Sequence, residues 1–185
     1  MINKINIKEI EKLINKKIIF SKLLSNSFDI NCFEFLTTDK KKYVVKYYQR
    51  SKNKFNSIKS ETNNYKYLNN LNLKSFPKVY SQNEDYLIMS FFDNNEIKPN
   101  YTKDDLLDSI ISIHSLHNKE YGFDFDTQIG GLVQINTYNN NWVDFYSTQR
   151  LFYIFNLINK KKTMGNVINK KIENLLKSLK NMIPE

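Results

Sequence analysis

The sequence predicts an α+β protein with a β-rich first half and a helical second half. Two runs of β-branched and aromatic residues flank a polar tip early in the chain, and a third apolar run follows. Beyond Pro99, apolar residues recur instead at helical spacing. Hydrophobic residues make up 41% of the 185 residues, which is enough for a core in one domain or part of a larger one.

The first half is predicted to contain two helices and three strands. Apolar residues from Ile7 to Ile14 share one face of a short helix. The runs "FDINCFEFL" and "KYVVKYY" flank the tip "TTDKK", which indicates a β-hairpin. The stretch "KFNSIKSETNNYKYLNNL" has helical periodicity, "FPKVY" is an extended step, and "DYLIMSFF" is typical of a buried strand.

The second half is predicted to be helical, with one loop. Thr102 followed by Asp105 resembles a capping box that begins the helix "DDLLDSIISIHSLH". The segment "YGFDFDTQIGG" is predicted to be a loop. The stretch "NNWVDFYSTQRLFYIFNLI" indicates an apolar helix and "VINKKIENLLKSLKNMI" an amphipathic one. We therefore expect two parts, residues 1–92 and 93–185.

Composition narrows the class of protein. The single cysteine, Cys32, excludes an internal disulfide framework and fits a reducing compartment. The chain has no apolar signal core and no apolar run of membrane-spanning length, so we expect a soluble, cytoplasmic protein. The net charge of +9 suggests nucleic-acid binding, but the lysines are scattered among asparagine and isoleucine. A general compositional bias explains them more simply, and a nucleic-acid-associated protein remains the weaker alternative.

One lysine lies in the middle of the predicted strand "KYVVKYY". Side chains alternate across a strand, so Lys46 shares a face with Val44 and Tyr48. If that face meets water, Lys46 is an ordinary solvated lysine. If the face is covered, the buried charge needs a partner.

Glu61 is the candidate partner of Lys46. It lies three residues after Ile58 and four before Tyr65, on the apolar stripe of the next helix. A lysine and a glutamate offset each other's desolvation when the helix packs on the strand, and we expect their charged groups within about 4 Å. Protein kinases use such a pair to hold ATP phosphates, whereas a bridge that only joins helix and strand needs no ligand. The pattern leaves both interpretations open.

The most specific pattern lies in residues 117–150. A Gly-Phe-Asp loop leads through a polar segment into the helix that contains the tryptophan, in the order Gln134, Asn136, Trp142, Phe145, Tyr146, Arg150. This order resembles the fructosamine kinase (ketosamine 3-kinase) family. The segments "VVK", "SETNNYKYL", "FPKVY" and "YLIMSFF" follow the family's order upstream, so the resemblance covers nearly the whole chain.

The resemblance implies a protein-kinase-like fold, similar to that of aminoglycoside phosphotransferases, with a β-rich N-lobe over a helical C-lobe. It implies transfer of the γ-phosphate of ATP to a sugar hydroxyl of a ketosamine. The acceptor would be a fructosamine or ribulosamine, as a small molecule or on a glycated protein, and the role would be repair of glycated amines.

The resemblance also implies roles for individual residues. Lys46 would hold the phosphates of ATP, and Glu61 would orient Lys46. The hinge would receive adenine through backbone contacts, at Met89, Ser90 and Phe91. The acceptor side would be bordered by Trp142, Tyr146 and Arg150.

The chain departs from the family at the phosphate-binding turn. All four glycines lie in the second half, and "LSNSFDINC" stands where the family has a Gly-Gly turn. Glycine lets backbone N–H groups approach phosphates without a Cβ in the way. Asn26 tolerates positive φ better than Ser25 or Ser27. We expect weaker phosphate binding than in the relatives.

The second departure concerns catalysis. The family takes its catalytic base and magnesium ligands from a His-Gly-Asp loop with a following Asn, and from an Asp-Pro segment. Here neither His114 nor His117 precedes a glycine, and no aspartate precedes a proline. We therefore expect an incomplete C-lobe that stops before the catalytic loop, with ATP and Mg²⁺ as implied cofactors but no catalytic residue or metal ligand in this chain.

Two alternatives follow for the chain itself. It is a kinase part that needs a complementing C-terminal segment or self-association, or it is a non-catalytic remnant that binds a nucleotide or a partner. In the first case we expect apolar side chains of the last two helices to be partly uncovered, namely Leu151, Phe155, Leu175 and Leu179.

The remaining candidates for chemistry are predicted to be structural. His114 and His117 are three residues apart on one predicted helix, with no clear third metal ligand. Asp124 and Asp126 are expected to cap the loop. Cys32 is expected to lie on a strand with no cationic neighbour that would make it a nucleophile.

Overall fold

The computed structural model describes residues 5–27, 29–49, 55–71, 73, 75–93, 103–162 and 164–182, with the backbone alone at 103–106 and 180. The chain forms two compact units, Met1–Leu116 and His117–Glu185. The division into residues 1–92 and 93–185 stays a prediction, because 94–102 lie outside these ranges. Within them, no helix is both long enough and apolar enough to span a bilayer.

The first unit is built on a five-stranded antiparallel sheet. Its strands are β1 (Ile18–Ser27), β2 (Ile30–Thr37), β3 (Lys42–Tyr48), β4 (Val79–Gln82) and β5 (Tyr86–Ser90), in the order β1-β2-β3-β5-β4. Its helices are α1 (Ile7–Ile14), α2 (Ser57–Asn70) and α3 (Lys103–His114). The predicted α+β class is confirmed. The predicted capping box of Thr102 and Asp105 lies outside the described side chains.

A helix covers each face of this sheet. Ile10 of α1 packs against one face, with Phe35, Tyr43, Val45, Tyr86 and Ile88. Ile58 of α2 packs against the other, with Tyr48, Leu87 and Met89. Asn6 and Asn56 cap the two helices, since each side-chain oxygen accepts a backbone N–H of the first turn. Alternation along β3 therefore places Lys46 on the face that α2 covers.

The structure around the first hairpin differs from the prediction in two respects. The predicted hairpin is confirmed as β2 and β3, but β1 was not predicted. Its side chains are nearly all exposed and two register shifts interrupt its alternation, so it lacks the pattern of a half-buried strand. Asn26 lies in β1 opposite Asn31, and the positive φ of 64° belongs to Asp29.

The described residues of the second unit form a small hairpin and four helical segments. The hairpin pairs β6 (Thr127–Ile129) with β7 (Leu132–Gln134) through Gly130 and Gly131, at φ 54° and 78°. The loop predicted over residues 121–131 is therefore wrong at its end, where two adjacent glycines supply the left-handed conformations of a tight turn. The predicted apolar helix is present as α4 (Trp142–Tyr146), a π-helical segment (Ser147–Phe152) and α5 (Tyr153–Lys161).

The last helix is α6 (Asn166–Met182). Leu175 is 46% exposed, as expected. Leu151 and Leu179 are half-buried. Phe155 was expected to be uncovered, which is wrong, because it is buried and packs against the ring of Phe152.

Candidate functional site

Lys46 and Glu61 form an ion pair between β3 and α2. The Nζ of Lys46 lies 2.5 Å from Oε1 of Glu61, and the two side chains are only 23% and 18% exposed. The predicted pairing is confirmed, and the interpretation of Lys46 as a solvated lysine is excluded. Removing one partner would leave the largely desolvated charge of the other uncompensated, so each side chain depends on the other.

Tyr65 is a second hydrogen-bond partner of the Glu61 carboxylate. It lies one turn after Glu61 on α2 and packs against the core cluster of Ile58 and Leu87. Burial, together with the charge of Glu61 and a hydrogen bond to it, raises the pKa of Tyr65 to about 12. The phenol therefore stays protonated and donates to the carboxylate. This role could not be predicted from the sequence, in which Tyr65 is simply one residue of the apolar stripe of α2.

Cys32 lies opposite Lys46 in the register of β2 and β3. The expectation that it has no cationic neighbour is wrong, because strand pairing brings together residues that are distant in the sequence. Burial nevertheless raises the pKa of the Cys32 thiol and outweighs the opposing effect of the Lys46 charge. The thiol is not activated as a nucleophile.

The predicted hinge lies at the end of β5, where Met89 and Ser90 are the last two residues of the strand and Phe91 follows it. Met89 is buried opposite Val44 in the sheet. Ser90 donates its N–H to the carbonyl of Lys78 at 2.9 Å, and its hydroxyl accepts the N–H of Lys78 at 3.0 Å. The Nζ of Lys42 lies 4.8 Å from the centre of the Phe91 ring. Ser90 is thus hydrogen-bonded to the residue that precedes β4, and its backbone N–H is not available to a ligand.

Arg150 binds inside the second unit. Its Nη2 donates to Oδ1 of Asn136 at 2.5 Å, its Nη1 donates to the carbonyl of Ile135, and its guanidinium lies 4.7 Å from the centre of the Phe145 ring. Burial lowers the pKa of Arg150, and the charge of Asp126 opposes this. The residue fixes the segment before α4 instead of pointing a free charge outward.

Asn136 is the centre of this network. Its backbone N–H donates to Oδ1 of Asp126 and its side-chain amide to the carbonyl of Phe125, both at 3.0 Å. Asp124 accepts the hydroxyl of Tyr138 at 2.8 Å. The expectation that Asp124 and Asp126 are structural is confirmed by these contacts.

An open cleft of about 640 Å³ lies beside this network. The ring of Trp142 lies 5.4 Å from that of Tyr146, at an interplanar angle of 30°, and 5.4 Å from that of Tyr121. All three rings are more than a third exposed. We call this the aromatic cleft, and it is lined by Glu120, Tyr121, Gly122, Ile129, Gln134, Asn136, Trp142, Phe145, Tyr146, Arg150, Leu151 and Ile154.

The structure therefore unites the three predicted acceptor-side residues in one cleft, and adds two that the sequence did not reveal. Glu120 and Tyr121 precede the Gly-Phe-Asp loop. Tyr121 reaches Trp142 because its backbone pairs with Asn139, with N···O distances of 2.8 Å in both directions. This isolated bridge leaves no periodic trace in the sequence.

In the described parts of the chain, no three His, Cys, Asp or Glu side chains converge as metal ligands would. His114 ends α3, whereas His117 lies beyond that helix and both are exposed, so the expectation that they share one helix is wrong.

Comparison with known proteins identifies relatives. The profile of the fructosamine kinase family matches residues 4–185. The protein named "Probable ketoamine kinase" from Vibrio vulnificus (strain CMCP6) is 23% identical over 171 residues, which cover 90% of this chain and 59% of that protein.

Two solved structures share the fold. The crystal structure of a "putative fructosamine-3-kinase" from Thermobifida fusca has a TM-score of 0.80 at 18% identity, over 100% of this chain and 65% of that one. The streptomycin–ATP complex of the aminoglycoside phosphotransferase APH(2")-IIa has a TM-score of 0.58 at 19% identity, over 96% of this chain and 59% of that one. The protein-kinase-like fold is confirmed. The chain spans less than two thirds of the length of each of these relatives.

Proposed function

Because the chain belongs to the fructosamine kinase family, we propose that it is part of an ATP-dependent kinase that phosphorylates a sugar hydroxyl of a ketosamine. The observation that carries the proposal is the ion pair of Lys46 and Glu61 under α2. A strand lysine held by a helix glutamate is the arrangement with which protein kinases bind ATP phosphates. Residues 1–92 would form the N-lobe and residues from 93 the helical C-lobe, in a reducing cytoplasm.

In this proposal Lys46 contributes a fixed positive charge to the phosphates of ATP. Glu61 keeps the ammonium in place, so little side-chain entropy is lost when the nucleotide binds. Phe91 remains the hinge residue whose backbone would contact adenine, since Ser90 bonds to Lys78 and Met89 lies between two paired strands. The acceptor would bind at the aromatic cleft.

ATP would supply the transferred phosphoryl group. The His-Gly-Asp and Asp-Pro segments that would supply the base and the magnesium ligands in the family have no match in this sequence. We propose that a complementing segment or partner supplies the metal ligands and the carboxylate that accepts the proton from the sugar hydroxyl.

A second candidate is a nucleotide- or partner-binding module of the same fold that does not turn over. It is favoured by the glycine-free turn at Asp29. The two candidates share the ATP site and differ only in whether phosphoryl transfer follows.

The test is ATP binding by the purified chain, measured by isothermal titration calorimetry. Lys46→Met should weaken binding about tenfold or more, because a charge-assisted contact to phosphate is lost. The matched control is Lys59→Met, which removes an exposed lysine from the same helix as Glu61.

The melting temperature of each variant separates lost binding from lost folding. Glu61→Gln keeps the shape of the partner, and it should weaken ATP binding in a protein that still unfolds cooperatively. Equal ATP affinity for the parent and the folded Lys46→Met variant would refute the proposed role of Lys46.

A further inference from the structure

Phe91 is the first residue beyond β5, and its ring contacts a charged side chain of β3. Tyr43 lies opposite Ser90, the last residue of β5, in the antiparallel register. Lys42 precedes Tyr43, so it lies next to Phe91. The Nζ of Lys42 is 4.8 Å from the centre of the Phe91 ring, within the range of a cation–π contact. This contact extends the association of β3 with β5 by one residue beyond the last strand pair.

The ammonium of Lys42 is itself held by Glu34 of β2. The Nζ lies 3.0 Å from Oε1 of Glu34, whose side chain is only 13% exposed. Glu34 is paired with Val44 in the sheet, and Lys42, Val44 and Lys46 are each two residues apart along β3. Side chains two residues apart share a face of a strand. The ion pair therefore lies on the same face of the sheet as Lys46.

We call Glu34, Lys42 and Phe91 the hinge cluster. A lysine on its own has a flexible stem and gains little from one exposed ring, because it must lose side-chain entropy to stay there. The carboxylate of Glu34 already restricts the ammonium of Lys42, so less freedom is lost in the contact with Phe91. The cluster thus links β2, β3 and the segment after β5 through side chains.

We propose that Lys42 and Glu34 are positioning residues for the nucleotide, which hold the ring of Phe91 and thereby fix the backbone that contacts adenine. The inference rests on the proposed function, in which Lys46 binds the phosphates and Phe91 the base. It gives the base end of the site a support separate from Glu61, which orients Lys46 at the phosphate end. A segment that is ordered in advance binds more tightly, because less ordering remains to occur on binding.

The test compares ATP with inorganic tripolyphosphate, which has the phosphate chain without base or ribose. In isothermal titration calorimetry, Lys42→Met should raise the dissociation constant for ATP about three- to tenfold, since the hinge loses its contact. A loss of positive charge alone would weaken both ligands by the same factor. The ratio of the two dissociation constants therefore identifies positioning, and an unchanged ratio in a folded Lys42→Met variant would overturn the inference.

The matched control is Lys17→Met. Lys17 forms the same kind of ion pair, 3.1 Å from a carboxylate oxygen of Glu11, whose side chain is 17% exposed. Glu11 belongs to α1, which covers the face of the sheet opposite Lys46. This variant removes an equal charge from the same unit and should leave the ratio for ATP and tripolyphosphate unchanged. Lys42→Arg keeps both the charge and the cation–π contact, and should keep the ratio close to that of the parent.

A double-mutant cycle tests whether Lys42 acts through the ring. Phe91→Leu removes the ring and should weaken ATP binding by about the same factor as Lys42→Met. Lys42→Met should then have little further effect in the Phe91→Leu protein, because the two residues share one contact. Glu34→Gln should change the ratio in the same direction as Lys42→Met. Additive effects of Lys42→Met and Phe91→Leu would refute the contact as the cause.

Lys46→Met distinguishes this inference from the proposed function, because it should weaken ATP and tripolyphosphate together. If it does so and Lys42→Met leaves the ratio unchanged, the inference fails and the proposed phosphate site stands. If Lys46→Met changes neither ligand, the proposed role of Lys46 fails. A ratio that still changes in Lys42→Met would then show that the hinge cluster positions the base without Lys46.

Discussion

Asp29 is the residue at which the β1–β2 turn is least suited to phosphate binding. It adopts φ 64° without being a glycine, and its carbonyl accepts the N–H of Gln49 at 2.7 Å. In the proposed function this turn lies over the phosphates, where a Cβ and a carboxylate are both unfavourable. We predict that Asp29→Gly binds ATP about two- to tenfold more tightly, measured by calorimetry, since it removes a like charge and local strain.

Two variants identify the cause of that change. Asp29→Asn removes only the charge. Asn15→Gly relaxes an equivalent left-handed residue, at φ 52°, in the turn after α1. Tighter ATP binding in Asn15→Gly, or no change in Asp29→Gly, would contradict the prediction.

Tyr65 predicts how stability depends on alkaline pH. Its pKa is about 12 in the fold, through burial and the neighbouring Glu61, against an ordinary value of 10.0. Above pH 10 the unfolded chain loses the phenol proton before the folded chain does, so stability is complete below pH 10 and declines as pH rises toward 12. Tyr65→Phe should make this decline shallower.

Urea unfolding followed by circular dichroism at several pH values between 10 and 12 measures how the free energy of unfolding declines with pH. Tyr86→Phe should act in the same direction, because burial raises the pKa of Tyr86 to about 12 as well. Parallel declines in the parent and in Tyr65→Phe would show that Tyr65 titrates normally.

At the scale of elements, the loop before α4 depends on one glycine. Gly122 has φ 147°, and a Cβ there would lie 2.8 Å from the Cα of Tyr138 and 2.9 Å from the carbonyl oxygen of Asn136. We predict that Gly122→Ala lowers the free energy of unfolding by about 2–4 kcal/mol, since backbone strain and a backbone clash add together.

The other glycines provide matched controls for that measurement. Gly130 has φ 54° but open space around its Cβ position, so Gly130→Ala should cost about 1 kcal/mol from strain alone. Gly165→Ala meets neither problem and should be nearly neutral. Denaturant unfolding of the three variants should give this order of stability, and an equal loss at Gly122 and Gly130 would exclude the clash.

The elements that could be predicted are those in which buried positions produce a regular pattern of apolar residues in the sequence. The strands β2, β3 and β5 alternate or are fully apolar, and each helix has an apolar face. The exposed strand β1 has no such pattern, and a π-helical segment of six residues is too short to distinguish its period from that of an α-helix.

The same argument separates the two halves of the candidate site. Lys46 and Glu61 could be predicted because charges within apolar patterns need a partner. The positions of Glu120 and Tyr121 depend on an isolated bridge and on contacts between rings, which no local pattern records. Likewise, the sequence could not show that the guanidinium of Arg150 is engaged by neighbouring residues of the second unit.

For the whole molecule, we predict that the 185-residue chain shows no ketosamine-dependent formation of ADP. Its sequence contains neither a His-Gly nor an Asp-Pro pair, the segments expected to supply base and metal ligands, and phosphoryl transfer needs both. A coupled ADP assay with a fructosyl-lysine measures this. Turnover that Lys46→Met abolishes and Lys59→Met does not would show that the chain holds a complete catalytic site.

The last prediction concerns the apolar surface of α6. Val167, Ile168, Leu175 and Met182 are 71%, 51%, 46% and 65% exposed, and large exposed apolar patches are uncommon on monomers. The purified chain should therefore self-associate in sedimentation velocity runs and bind a hydrophobic dye. Ile168→Lys combined with Leu175→Glu should reduce both signals, whereas Asn174→Glu, an exposed polar position on the same helix, should not. A parent chain that is monomeric and does not bind the dye would show that the exposed residues of α6 do not mediate self-association. That result would favour the self-sufficient binding module over the kinase part that needs a complementing segment.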